Sequence, residues 1–381
     1  MTMKHVAPAV PQRRVNDPYP SNPWWRWTLR AALSAPFLVI ALLLIEHPEL
    51  LGRSVNGTVE THVNAIDWSR GDLDWIADLY PPFGTLLAQL IPGGAAGLSI
   101  VGALLAGWFL QYLIQTLRER HWRDRNIVLT VIAIGGNPVF AYLVVGDLLG
   151  FLGLAAFSYG TIEMYRFIMR RNTDAGFRAG VWFLICSLID PSGLLLVMVA
   201  MLTAPALKIA RSGEHGARLA NIVVVFFPAV AVAITIGLLQ MIYLQDPFAL
   251  YSRAITYSPD NWVVFSNLFT TPGGWATLLA AVIGAAVAAL ERRYAFIFVA
   301  PLILVASLFG RVLGLVPLQG VGYVFLATML IIVSLLPSLS TRLRRSGVTA
   351  MLCAFIVLGW VTALLRAPIV EWFVTFTGGN A

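Results

Sequence analysis

The chain has 381 residues, of which 58% are apolar and only 12% charged, and it carries a net charge of +7. So small a polar fraction excludes a soluble globule, and apolar runs that are continuous rather than alternating exclude a membrane β-barrel. The fold class expected is therefore all-α, a polytopic transmembrane helix bundle.

Residues 1–25, rich in proline and charge, read as a disordered cytoplasmic tail, leaving residues 26–381 as a single transmembrane domain. The first apolar run, Leu29 to Ile45, follows Arg26 and Arg30 and has no small-residue cleavage site after it, so it reads as an uncleaved span. At ~20 residues per span, further helices are predicted near 95–117, 127–146, 148–168, 219–243, 274–290, 294–310, 320–338 and 347–365. Between Gly180 and Leu207 the apolar run is interrupted by Asp190-Pro191-Ser192-Gly193. Too short for two full spans, it predicts a hairpin of two short helices; a single proline-kinked helix would invert everything downstream.

The distribution of basic residues decides between these two. With the hairpin, only Arg53, Arg70, Arg253, Arg311 and Arg366 fall outside, and the other 21 of the 26 basic residues fall on the cytoplasmic side. Twelve of the 19 acidic residues fall outside. The basic excess is thus a topology signal, and no nucleic acid partner is implied. The prediction is about eleven membrane segments with a cytoplasmic N-terminus and an external C-terminus, integral and multi-pass in the plasma (inner) membrane, with the lipid bilayer as its solvent. Two external loops, 47–94 and 244–273, are longer than connections require. The cysteines, Cys186 and Cys353, both sit in apolar runs and read as ordinary buried residues, with no disulfide frame or thiolate metal site.

The first external loop is the most informative stretch. Glu60, Asp67, Asp72, Asp74 and Asp78 lie within nineteen residues, and a helix starting near Val59 would put Glu60, Asn64 and Asp67 on one face. Trp68, Trp75 and Tyr80 supply rings suited to the headgroup level, and Pro81-Pro82 opens a short apolar helix, Phe83 to Ile91, which suits an interfacial position. These features fit a solvated acidic loop with an aromatic belt, and equally a carboxylate site at the membrane surface. Asn56-Gly57-Thr58 matches a glycosylation sequon, a triplet that chance produces often.

A first span, then an acid, a short amphipathic helix, Arg70-Gly71-Asp72 and Tyr80-Pro81-Pro82 resemble the first external loop of the GT-C superfamily of membrane glycosyltransferases. That superfamily uses polyprenyl-phosphate-linked sugars and includes protein mannosyltransferases, aminoarabinose transferases and actinobacterial mannosyl- and arabinosyltransferases. Looser matches are Gly136-Asn137-Pro138 and Asp246-Pro247. The acid here is Glu where Asp is commoner, and no second acid adjoins it. The resemblance implies sugar transfer from a polyprenyl-phosphate donor to a lipid, glycan or protein acceptor on the external leaflet.

Such a reaction needs a base for the acceptor hydroxyl, positive charge for the departing phosphate and a groove for the prenyl tail. Glu60 is the first candidate for the base and Asp67 the second. Arg311, Arg253 and His62 are candidates for the donor phosphate, arginine because its planar fork binds two oxygens at once. Tyr80, Asp147 and Asp246 are candidates for substrate contact. Asp147 and Asp190 also suit helix capping, and Arg311 suits simple snorkelling to the interface. No cofactor is specified, and a divalent metal stays open. Two other classes remain: a secondary transporter or lipid flippase, whose external acids would bind a proton or cation, and a non-catalytic scaffold of envelope assembly.

Overall fold

The computed structural model describes residues 18–69, 74–170, 173–203, 217–290, 299–315, 323–336 and 342–378. Among these residues the structure is all helical. Arg70, Gly71 and Asp72 of the first long loop lie outside the described residues, as do residues 316–322 after Arg311.

The first helix, α1 (Pro23–Ile45), starts where Asn22 accepts a hydrogen bond from Trp24 N–H and Pro23 supplies a preset φ. Three short helices follow, α2 (Pro48–Arg53), α3 (Val55–Ala65) and α4 (Pro82–Leu90), with a 3-10 turn at Asp74–Asp78 between the last two. The long helix α5 (Gly94–Glu119) returns through the bundle and packs along α1. Their close approach depends on Gly107, where a Cβ would stand 2.4 Å from the Arg30 carbonyl oxygen. Arg30 lies over the Trp108 ring at 3.9 Å and donates to Gln111, which holds the pair together at its far end.

Next come α6 (Asp124–Gly135) and α7 (Pro138–Gly146), then α8 (Leu148–Arg170) and α9 (Thr173–Ile189). The predicted span 127–146 is interrupted: α6 and α7 meet at 56°. Asn137 makes the break, its side chain capping Val139 N–H at 2.9 Å, while Pro138 has no N–H with which to continue the ladder. α10 (Gly193–Thr203) packs back on α9 across the Asp190–Ser192 turn, where Gly193 N–H donates to the Asp190 carbonyl and Gly193 lies against the Cys186 carbonyl. Two short helices in contact are what the 180–207 interruption predicts.

Beyond lie α11 (Ala217–Leu244), α12 (Ala249–Ala254), α13 (Val263–Thr270), α14 (Pro272–Leu290), α15 (Val299–Val312), α16 (Tyr323–Leu335), α17 (Arg342–Leu364) and α18 (Ala367–Phe376). A second bend, of 70°, falls between Pro259–Thr270 and Pro272–Val287. Among the described residues, five helices are long and apolar enough to cross a membrane, and the count reaches seven if each bent pair is one span. The chain is thus consistent with an α-helical membrane bundle.

The bundle has two polar ends. At one, Arg166 meets Glu163, Glu119 at 2.8 Å and the Tyr112 hydroxyl at 2.9 Å, while Arg178 also reaches Glu163. Beside this network Arg120, itself buried, donates to the Leu336 carbonyl at 2.7 Å and so satisfies the C-terminal end of α16. At the other end, the loop face, α2, α3, α4 and α12 gather over the ends of α5, α8 and α9. Of the two cysteines, Cys186 is buried as expected, whereas Cys353 points outward from α17.

Candidate functional site

The loop face is anchored by a residue that sequence reading noticed only as part of a sequon. Asn56 is completely buried: its amide nitrogen donates to the Val145 carbonyl at 2.8 Å and to Ser99 Oγ at 3.2 Å, and its oxygen accepts from Leu148 N–H at 2.8 Å. It ties α3 to α5 and to the α7–α8 junction, so the Asn56-Gly57-Thr58 triplet is inaccessible as a sequon. The helix begins at Val55 because Ser54 caps it, accepting from Gly57 N–H. That is four residues before the expected start, and the helix ends at Ala65.

Glu60 stands one turn after Asn56 on the same face of α3. Its Oε2 accepts from Ala95 N–H at 3.0 Å, against the positive end of α5. Gly94, at φ +56°, makes room for this carboxylate; a Cβ there would come 1.9 Å from Glu60 Oε1. The contact is the one a capping carboxylate makes, and it occupies part of the acceptor capacity of that group.

Asp67 does not share the Glu60 face. Beyond the end of α3 it is exposed and folds into a local turn, accepting from Ser69 N–H at 3.1 Å and Ser69 Oγ at 2.6 Å. His62 is exposed and donates from Nε2 to the Asp78 carbonyl at 2.9 Å. Asp246, also exposed, accepts from Phe248 N–H at 2.9 Å and starts the turn into α12. That is a local role and sets it apart from the acids beneath the loops.

The two long loops meet. Asp78 pairs with Arg253 of α12 at 3.1 Å, and the Tyr80 ring sits edge-on to Tyr251 with centroids 5.4 Å apart. The Tyr80 hydroxyl donates to the Pro191 carbonyl at 2.9 Å, which fastens the first loop to the α9–α10 turn. Burial, with Tyr251 and Asp190 adding to it, holds this hydroxyl well above the ordinary tyrosine range.

Beneath Tyr80 lie two buried acids. Asp147, between α7 and α8, accepts from Gly150 N–H at 2.9 Å as the cap of α8. Burial pushes its carboxyl up to about 7, the Gly150 N–H working against that rise and the neighbouring Asp190 adding to it. Asp190 accepts from Ser192 N–H at 3.2 Å and Ser192 Oγ at 2.6 Å, and its side chain lies over Gly153 of α8. Both acids cap, and capping does not remove them from the site: they share one buried space under the loops.

Arg311 lies near the end of α15, whose following residues dock on the second loop through Thr256 N–H to the Leu313 carbonyl at 3.1 Å. Its charge is felt by, and repels, that of Arg366. Arg366 precedes α18 and rests on Gly273 at the start of α14, the nearest guanidinium nitrogen 3.5 Å from where a Cβ would be. Sequence reading counted Arg366 as external but gave it no role; its one signal was membership of the small outer basic set. Glu371 was missed as well: it pairs with Arg53 at 3.0 Å and lies close enough to Tyr142 to act on its hydroxyl.

The loop face therefore brings together Asp147, Asp190 and Tyr80, with Arg253 attached through Asp78, while Glu60 stands apart from them at the start of α5, one turn along α3 from Asn56. Arg311 and Arg366 form a separate cationic pair beside the second loop. Among the described residues, no three His, Cys, Asp or Glu side chains cluster so as to hold a metal ion. Comparison of the chain with protein-family models, curated proteins and solved structures gives no match.

Proposed function

We propose that the chain is a membrane glycosyltransferase of the GT-C type, moving a sugar from a polyprenyl-phosphate donor to an acceptor at the loop face, which lies on the external leaflet. The observation that carries the reading is the closure of the two long loops, through Tyr80–Tyr251 and Asp78–Arg253, over the buried acids Asp147 and Asp190. A loop layer with carboxylates below and arginines at its edge has the parts that transfer from a lipid phosphate needs.

In the step itself, a carboxylate takes the proton of the acceptor hydroxyl as its oxygen bonds to the sugar C1. The bond from C1 to the phosphate oxygen breaks, and prenyl phosphate leaves with the electron pair. Glu60 is assigned the base role; Ala95 N–H engages one oxygen, and the carboxylate keeps acceptor capacity for a substrate proton. Arg311, Arg366 and Arg253 supply charge for the leaving phosphate, bidentate binding being what guanidinium groups do well.

A second reading, a secondary transporter or lipid flippase, is favoured by one observation: the spans bent by 56° and 70°. Broken helices line substrate paths in many transporters. The two readings part on a pair of assays: transfer by purified protein in nanodiscs given radiolabelled polyprenyl-phosphate sugars and crude envelope acceptors, and translocation of the same labelled lipid by the protein in proteoliposomes. The transferase reading predicts donor-dependent transfer, reduced roughly 10²-fold or more in Glu60→Gln with an unchanged melting temperature. Absence of transfer from every donor, with labelled lipid translocated across proteoliposomes instead, supports the transporter.

A further inference from the structure

At the polar end opposite the loop face, the first turns of α1 carry two arginines among exposed indoles. This is the end of the Arg166 network, reached from Tyr19 through Gln115 to Glu119. Trp24, Trp25 and Trp27 are exposed, Trp24 by 82%, and exposed Trp108 of α5 stands beside Trp27 with ring centroids 5.8 Å apart. Arg30 sits at this pair, its guanidinium carbon 4.8 Å from the Trp27 centroid and 3.9 Å from that of Trp108. Its Nε and Nη2 both donate to Gln111 Oε1, while Arg26, one turn earlier, donates from Nε to the Pro20 carbonyl and from Nη2 to the Ser21 carbonyl. In both guanidinium groups Nη1 has no acceptor among the described residues, and neither Nη1 is sealed from the surface. The carboxylates of this end pair elsewhere, Asp124 with Arg118 and Glu119 with Arg166. Arg26 and Arg30 are left to repel each other.

Two like charges one turn apart, about 6 Å along the helix, each with an unused donor, call for an anion. We propose that this end of α1 binds an anionic phospholipid, one phosphate oxygen accepting from Arg26 Nη1 and another from Arg30 Nη1, with the indoles packed about the lipid's glycerol backbone. Three features select such a lipid. Stacking covers the faces of the Arg30 guanidinium and leaves its in-plane N–H groups for oxygen. Choline and ethanolamine headgroups bring an ammonium beside the phosphate, which two guanidinium groups repel and no carboxylate among the described residues of the site receives. A free phosphate would use the arginines alone. A lipid also uses the indoles, side chains that settle at the headgroup level, and the apolar surface beyond them, where Leu104 of α5 and Val39 and Leu42 of α1 are exposed. The proposal is independent of the transferase reading, which uses none of these groups.

The test is native mass spectrometry of the delipidated full chain in neutral detergent. It is titrated with dioleoylphosphatidylglycerol, with dioleoylphosphatidylcholine, or with glycerophosphoglycerol, the anionic headgroup without its chains. At about fivefold per arginine, wild-type protein is expected to hold its first phosphatidylglycerol about 25-fold more tightly than its first phosphatidylcholine, with no measurable binding of glycerophosphoglycerol. Arg26→Gln, which leaves the α1–α5 contact in place, should lower that preference about fivefold. Arg26→Gln combined with Arg30→Gln should abolish it, and the single variant decides the matter if the double one does not fold. Arg123→Gln, which removes an equal charge from another helix at the same polar end, should leave the preference unchanged. Equal binding of the two lipids by wild-type protein, a preference unmoved by Arg26→Gln, or a fall as large in Arg123→Gln would each overturn the proposal. So would tight binding of glycerophosphoglycerol, or a dimer in place of the lipid-bound monomer.

Discussion

At the scale of single residues, the loop face depends on buried polar groups whose partners are supplied within the fold. Asn56 is the clearest, because Leu148 N–H and Ser99 both depend on it, and truncation would strand buried groups with no water to replace it. Asn56→Ala should cost about 2–4 kcal/mol, seen as a fall of several degrees in the melting temperature of detergent-solubilised protein. Asp147 makes a prediction in pH. Its unfolded carboxyl titrates near 4, about the ordinary aspartate value, but the buried one is raised to about 7. Between these values the unfolded chain ionises while the folded chain keeps its proton. The stability present below pH 4 is therefore lost progressively as pH rises to about 7. Melting temperature should fall from pH 5 to pH 8 in the wild type and fall less in Asp147→Asn, whose amide oxygen still accepts from Gly150 N–H. An equal slope in both proteins would remove Asp147 as the source.

At the scale of elements, the start of α5 joins backbone geometry to the candidate base. Gly94 holds φ +56° and faces the Glu60 carboxylate, whereas Gly378 holds φ +76° with nothing within 4 Å of a would-be Cβ. Alanine at either position pays the left-handed strain of about 1–2 kcal/mol, but only Gly94→Ala must also displace Glu60. Thermal melts should show the larger loss for Gly94→Ala, and equal losses would mean that the Glu60 contact contributes nothing. Much at this scale was legible from sequence. The hairpin at Asp190-Pro191, the short helix after Tyr80 and the long apolar helices all follow from run length and proline placement. The two bends were not: Gly136-Asn137 interrupts a run that stays apolar on both sides, so hydropathy passes over it, and the bend at Thr271 joins α14 to residues 259–270, which the sequence assigns to the external loop 244–273. Asp67 left the Glu60 face because α3 ends at Ala65, before the turn that would have carried Asp67 round to it.

At the scale of the whole molecule, what sequence did not reveal is which distant pieces meet. Tyr80 and Arg253 were separate candidates, and the structure brings their loops together; Arg311 was singled out alone, and the structure sets it beside Arg366. Such contacts join residues far apart in the chain, and neither periodicity nor composition encodes them. The charge asymmetry speaks to another whole-molecule property, the side of the membrane each polar end occupies. Every step proposed for sugar transfer requires the loop face to lie outside, away from the cytosolic pool of other acceptors. The direct measurement is labelling by a membrane-impermeant maleimide in intact cells, in a background with Cys186 and Cys353 replaced by alanine. One single cysteine goes at exposed Asn64 of α3, and another at exposed Arg123, which precedes α6 at the opposite polar end. The account predicts that Asn64→Cys labels in intact cells and Arg123→Cys only after permeabilisation. The reverse pattern would put the carboxylates in the cytosol and contradict it.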